Sequence, residues 1–96
     1  MLVLITYDVS TSSEGGQKRL RHVAKVCQKY GQRVQNSVFE CIVDSTQYMQ
    51  LRIELESLID ENKDSLRFYQ IGKNHKKKVI HIGVKEALDL EDPLIF

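Results

Sequence analysis

Hydrophobic spacing along this chain switches between the period of a strand and the period of a helix, and the order of the switches leaves few folds open. Leu2 to Ile5 form a continuous apolar run closed by Thr6, Tyr7 and Asp8, the pattern of a buried strand. Ser10 to Gly16 is a Ser/Thr/Gly-rich loop with residues able to cap a helix. From Gln17 to Tyr30 the apolar positions Leu20, Val23, Ala24, Cys27 and Tyr30 are spaced by three and four, one face of a helix. Gly31 is expected to stop it as a C′ residue, with Lys25 and Lys29 suited to the negative end of its dipole. Residues 33–43 are β-branched and alternating, and read equally as one bent strand or as two strands hinged at Asn36–Ser37. Asp44 and Ser45 can cap a second helix, Thr46 to Glu61, with the stripe Tyr48, Leu51, Leu55, Leu58 and Ile59. Ser65 to Ile71 alternates as a strand, a polar turn runs from Gly72 to Lys78, and Val79 to Val84 is a last strand. Strand, helix, one or two strands, helix, strand, strand is the order of an α+β domain. It predicts an antiparallel sheet with both helices on one face, ferredoxin-like in plan.

The 96 residues suffice for one such domain, with residues 85–96 set apart as a tail. Leu94, Ile95 and Phe96 lie beyond Pro93 after an acidic tether, and apolar residues so placed are expected to dock. The expected seat is a neighbouring subunit, to which the tail would add a strand. No cationic leader pattern follows Met1 and no apolar run is long enough for a bilayer span, so no membrane role is expected. Cys27 and Cys41 lack a CxxC partner, which suits reduced thiols in the cytoplasm.

The net charge of +1 conceals segregation. Residues 1–35 carry six Lys/Arg against Asp8 and Glu14, and residues 36–62 carry Arg52 against six acids. Residues 63–85 carry seven Lys/Arg against Asp64, and residues 86–96 four acids and no base. Alternating basic and acidic blocks allow one face to attract a polyanion while the whole stays near neutral. Asp8 stands out within the first block, because an acid closing a buried strand sits where open sheets place ligands and metals. Capping the loop before the first helix is the plainer role for the same residue. His22, His75 and His81 have no zinc-ligand spacing.

Tyr7–Asp8, the basic helix start KRLRHVAKVC (residues 18–27), the segment YGQRVQNSVFEC (residues 30–41) and the turn IGKNHKKKV (residues 71–79) occur together in one small α+β chain. In this order and spacing they resemble the small CRISPR-associated nuclease family, the second adaptation protein that partners the spacer integrase. The resemblance implies a homodimer of ferredoxin-like protomers, with the two copies of Asp8 facing each other and holding one divalent cation, Mg²⁺ or Mn²⁺ in its place. It implies a metal-dependent endonuclease acting on phosphodiester bonds of double-stranded DNA or single-stranded RNA in spacer acquisition. Tyr7, Ser37 and Phe39 match supporting positions, and Arg19, Arg21 and Arg33 match basic ones that could meet nucleic acid. Arg19 and Arg21 are two residues apart and cannot share a helix face, so at most one is expected to enter the cleft. Lys76, Lys77 and Lys78 read as a clamp on backbone phosphate. One acid per protomer is a sparse catalytic set. A non-catalytic scaffold for double-stranded DNA in the integrase complex is therefore the alternative, and a toxin-like ribonuclease on the same fold a third.

Overall fold

The first strand becomes the centre of a five-stranded antiparallel sheet. The computed structural model describes residues 1–72 and 77–84, with the backbone alone for Lys77 and Lys78. The elements are β1 (Leu2–Asp8), α1 (Gly16–Tyr30), β2 (Gly31–Gln35), β3 (Val38–Ile42), α2 (Ser45–Leu58), β4 (Ser65–Ile71) and β5 (Lys77–Gly83). Their order in the sheet is β2-β3-β1-β4-β5, every neighbouring pair antiparallel. This is the expected ferredoxin-like arrangement, with β5 added outside β4. The tail, residues 85–96, lies outside the described residues.

Alternation in β1 sends Val3, Ile5 and Tyr7 into the core. There they meet Val23 and Cys27 of α1, Leu51 and Leu55 of α2, Phe39 and Cys41 of β3, and Leu66 and Phe68 of β4. Both helices thus cover one face of the sheet. The register lays out the other face in rows. Ile42, Leu2 and Ile71 lie across one end, followed by Glu40, Leu4, Tyr69 and Val79, then by Val38, Thr6, Arg67 and His81. Asp8, Ser65 and Gly83 close the far end. The face is apolar at one end and polar at the other.

Local chemistry settles what periodicity left open. Residues 33–43 form two strands turned at Asn36–Ser37, with a register irregularity between Arg33 and Gln35. Asp44 caps α2 as expected, its carboxylate accepting from Gln47 N at 2.7 Å while the Gln47 side chain accepts from Asp44 N at 2.9 Å, a capping box. That helix ends at Leu58 rather than Glu61. Asp60 draws the chain into a turn, accepting from Asn62 N on its side chain and from Lys63 N and Asp64 N on its carbonyl.

Two expectations are corrected. Gly15 in left-handed geometry (φ 75°), not a Ser or Thr side chain, caps α1, because Ser10 and Ser13 are used within the loop itself. Gly31 does end α1, but with extended backbone that opens β2 directly instead of a left-handed C′ turn. Glycine is required there by proximity: a Cβ would lie 2.4 Å from both Cys41 Sγ and the Glu40 carbonyl.

Candidate functional site at the end of the first strand

The Tyr7–Asp8 pair is divided by the pleat of β1, one side chain going to each face of the sheet. Asp8 is exposed at the strand's last position, opposite Ser65 of β4. Among the described residues its carboxylate has no hydrogen bond or ion pair. Tyr7 is buried on the helical side, its ring stacked on Phe39 at 6.2 Å and its hydroxyl donating to the Asn36 carbonyl at 3.3 Å. Its backbone N donates to the Ser37 carbonyl at 3.1 Å, tying the end of β1 to the β2–β3 turn. Burial raises the Tyr7 phenol above its usual range, with Arg33 partly opposing the shift. Tyr7 is thus a neutral hydroxyl near neutral pH.

Beside Tyr7 an open cleft of about 340 Å³ is lined by Leu20, Arg21, Ala24, Arg33, Asn36 and Ser37. Arg33 lies over the Phe39 ring, 5.2 Å from its centroid, a cation–π contact that steadies an exposed guanidinium. The structure therefore gathers Tyr7, Arg21, Arg33, Ser37 and Phe39 at the end of the sheet that carries Asp8. Two arginines beside a hydroxyl and an amide suit phosphate oxygens, although Arg33 also stacks on Phe39 and hydrogen-bonds Tyr7.

Arg19 is placed differently. Its Nε donates to Asp64 Oδ2 at 2.8 Å and its Nη2 to Asp64 Oδ1 at 3.2 Å, while other guanidinium hydrogens reach Ser13 Oγ and the Glu14 carbonyl. Of the two arginines on α1, it is Arg21 that lines the cleft. Lys77 and Lys78 pair in register with Ile71 and Gln70, at the end of β4–β5 remote from Asp8. Six residues of strand separate Ile71 from Ser65, about 20 Å at the usual rise. Within one chain the lysines and Asp8 are far apart. Lys76 lies outside the described residues.

Asp64 was not marked by sequence reasoning as a site residue. Its side chain is fully buried and accepts four hydrogen bonds: from Arg19 twice, from Ser10 N at 2.9 Å and from Asp60 N at 2.9 Å. Burial alone would push its pKa up, but the bonds from Arg19, Asp60 N and Ser10 N hold the carboxyl below its usual value. The available signal was a lone acid in an otherwise basic block, at the foot of an alternating strand.

No group of three or more His, Cys, Asp or Glu that could hold a metal occurs among the described residues. Asp8 offers one carboxylate per chain, which fits a hard cation taking one or two carboxylates with waters and phosphate oxygens, not an all-protein cage. Burial pushes the Cys27 thiol up to about 12 and the Cys41 thiol to about 11, so neither is a nucleophile at neutral pH. No described helix is long and apolar enough to cross a membrane.

Comparison with known proteins bears on the family and the fold. Residues 1–79 match the family described as CRISPR associated protein Cas2. A protein of Halalkalibacterium halodurans named CRISPR-associated endonuclease Cas2 is 75% identical over 96 residues, covering all of both chains. One of Nitratidesulfovibrio vulgaris named CRISPR-associated endoribonuclease Cas2 is 59% identical over 95 residues, 99% of this chain and 93% of that one. The crystal structure of Streptococcus pyogenes Cas2 at pH 6.5 superposes with a TM-score of 0.70 at 58% identity, covering 77% of this chain and 89% of the other. The chain belongs to the CRISPR associated protein Cas2 family.

Proposed function

We propose that the protein is a homodimeric, Mg²⁺-dependent endonuclease of CRISPR adaptation, active in the cytoplasm beside the spacer integrase, with Mn²⁺ able to replace Mg²⁺. The observation that carries this reading is the exposed carboxylate of Asp8, uncommitted among the described residues, at the end of the sheet whose helical side holds a cleft lined by Arg21 and Arg33. One chain brings one carboxylate. A second copy, seated on the face that carries Asp8, would bring the other and cover the exposed apolar end at Ile42 and Ile71. The tail, residues 85–96, would add to that contact.

A divalent cation so bound supplies a water of lowered pKa and positive charge near the scissile phosphate. The residues of the chain supply the rest. Asp8 would hold the ion, since two like carboxylates brought together repel unless a cation or proton offsets them. Arg21 and Arg33 bind phosphate oxygens beside it, and the Ser37 and Asn36 groups orient the strand. Lys76, Lys77 and Lys78 meet the nucleic-acid backbone farther out, extending the footprint without reading sequence. Relatives are named both as endonuclease and as endoribonuclease, which supports phosphodiester cleavage without choosing DNA or RNA.

The sparse donor set favours a second reading, a DNA-binding scaffold in which Asp8 is dispensable. Asp8→Asn distinguishes the two. Under the nuclease reading it abolishes Mg²⁺-dependent cleavage of DNA and RNA while the melting temperature holds or rises, because a like-charge pair is neutralised. Parental cleavage by a nuclease-free preparation of Asp8→Asn would overturn it.

A further inference from the structure

Asp64 is the only fully buried carboxylate among the described residues, and its four donors come from three separate parts of the fold. Ser10 N belongs to the loop two residues after Asp8, Arg19 to the first turns of α1, and Asp60 N to the turn after α2. The same backbone unit is held on its other side, where Val84 N donates to the Asp64 carbonyl at 2.8 Å. Gly83 (φ 105°) passes so closely that a Cβ would lie 2.0 Å from that carbonyl. The next residue, Ser65, is the cross-strand partner of Asp8. The Asp8 backbone is therefore gripped from both directions by one buried group: through β1–β4 pairing at Ser65, and through Ser10 at the Asp64 carboxylate. Arg19 completes the clamp by drawing Ser13 and the Glu14 carbonyl onto the same guanidinium.

We propose that Asp64 and Arg19 are positioning residues that fix the Asp8 carboxylate for cation binding, with Arg19 acting through the loop and not on phosphate. This rests on the reading of Asp8 as the metal-holding group. Each Asp64 oxygen accepts two donors, Ser10 N and Arg19 Nη2 on Oδ1, Arg19 Nε and Asp60 N on Oδ2. An Asn at this position must turn its NH₂ toward two of them in either orientation, so Asp64→Asn releases the clamp with almost no change in size.

The test compares Asp64→Asn, Arg19→Gln and Arg19→Lys with Leu55→Ala, a core variant that lowers stability away from the loop. Each is assayed below its own melting temperature, with folding checked by far-UV circular dichroism. Asp64→Asn and Arg19→Gln are expected to lower both kcat and the affinity for Mn²⁺, read by magnetic resonance of the free ion, by about 10–100-fold. KM for DNA and the salt dependence of DNA binding stay parental. Arg19→Lys, which keeps a charge against Asp64, recovers most of the loss, and Leu55→Ala shows none. The proposal is overturned if folded Asp64→Asn binds Mn²⁺ like the parent. It is also overturned if Arg19→Gln lowers the slope of log K against log salt by about 0.9, the mark of a lost phosphate contact. If the parent binds Mn²⁺ through Asp8 yet cleaves nothing, the nuclease reading fails alone, and the Mn²⁺ affinities still decide the clamp.

Discussion

Ile42 is 80% exposed at the apolar end of the open sheet face, in line with Leu2 and Ile71. If a second copy covers that face, Ile42→Asp removes its burial twice, since a twofold contact uses each residue in both subunits. Full burial of an isoleucine side chain contributes about 1.5–3 kcal/mol, and two copies about 3–6 kcal/mol. That raises the dimer dissociation constant by about 10²–10⁴-fold, before any cost of burying the new carboxylate. The isolated fold should barely respond, because the side chain touches little within its own chain, and an exposed substitution of this kind usually stays within about 0.5 kcal/mol. Sedimentation equilibrium of parent and variant across nanomolar to high-micromolar concentration measures the constant directly. A variant whose dissociation constant stays within threefold of the parent's would place any dimer contact elsewhere and remove the open face from the proposal.

Gly31→Ala should destabilise the fold by about 1–3 kcal/mol through overpacking against Cys41 and the Glu40 carbonyl. In thermal melts that is a fall of about 4 °C or more, whereas an unhindered Gly→Ala in extended backbone would give a rise. Asp64, whose carboxyl is held below its usual value, contributes stability that is present above the unfolded carboxylate pKa of about 4 and lost as pH falls through the lower folded value. Urea midpoints of the parent should therefore drop below about pH 4 by more than those of Asp64→Asn, which has already lost the contribution; parallel pH profiles would refute this. Replacing Lys76, Lys77 and Lys78 together with alanine should lower the salt slope of duplex binding by about 2.7, and a parental slope would leave these lysines no phosphate contact.

The fold was legible because its signals are local. Periods of two and of three to four gave the order of strands and helices but left residues 33–43 open between one strand and two, and the Asp44 cap was readable from residue type alone. What sequence missed at the ends of α1 depends on distant atoms. Gly31 reads as a helix stop by type, yet its reason is the Sγ of Cys41, ten residues on and in another strand. The Ser-rich loop reads as a cap, yet its Ser13 hydroxyl accepts from a guanidinium that is itself committed to Asp64, 45 residues from Arg19. Asp8 was legible because an acid closing an apolar strand is conspicuous. Asp64 was not, because only tertiary packing reveals that it is buried.

The division of labour between Arg19 and Arg21 follows from the same geometry. Two residues apart on α1, they point about 200° from each other around the helix axis, so when one turns toward the foot of β4 the other must turn toward the β2–β3 hairpin. Arg19 finds a buried carboxylate and loses its freedom; Arg21 meets Arg33 across a cleft where the described residues offer no acid. A guanidinium bound on both edges has little left for phosphate, while two arginines facing one cleft repel unless an anion lies between them. Phosphate affinity at this end of the sheet should therefore reside in Arg21 and Arg33, whose separate replacement by glutamine should each lower the salt slope. Arg19 should influence nucleic acid only through where it holds Asp8.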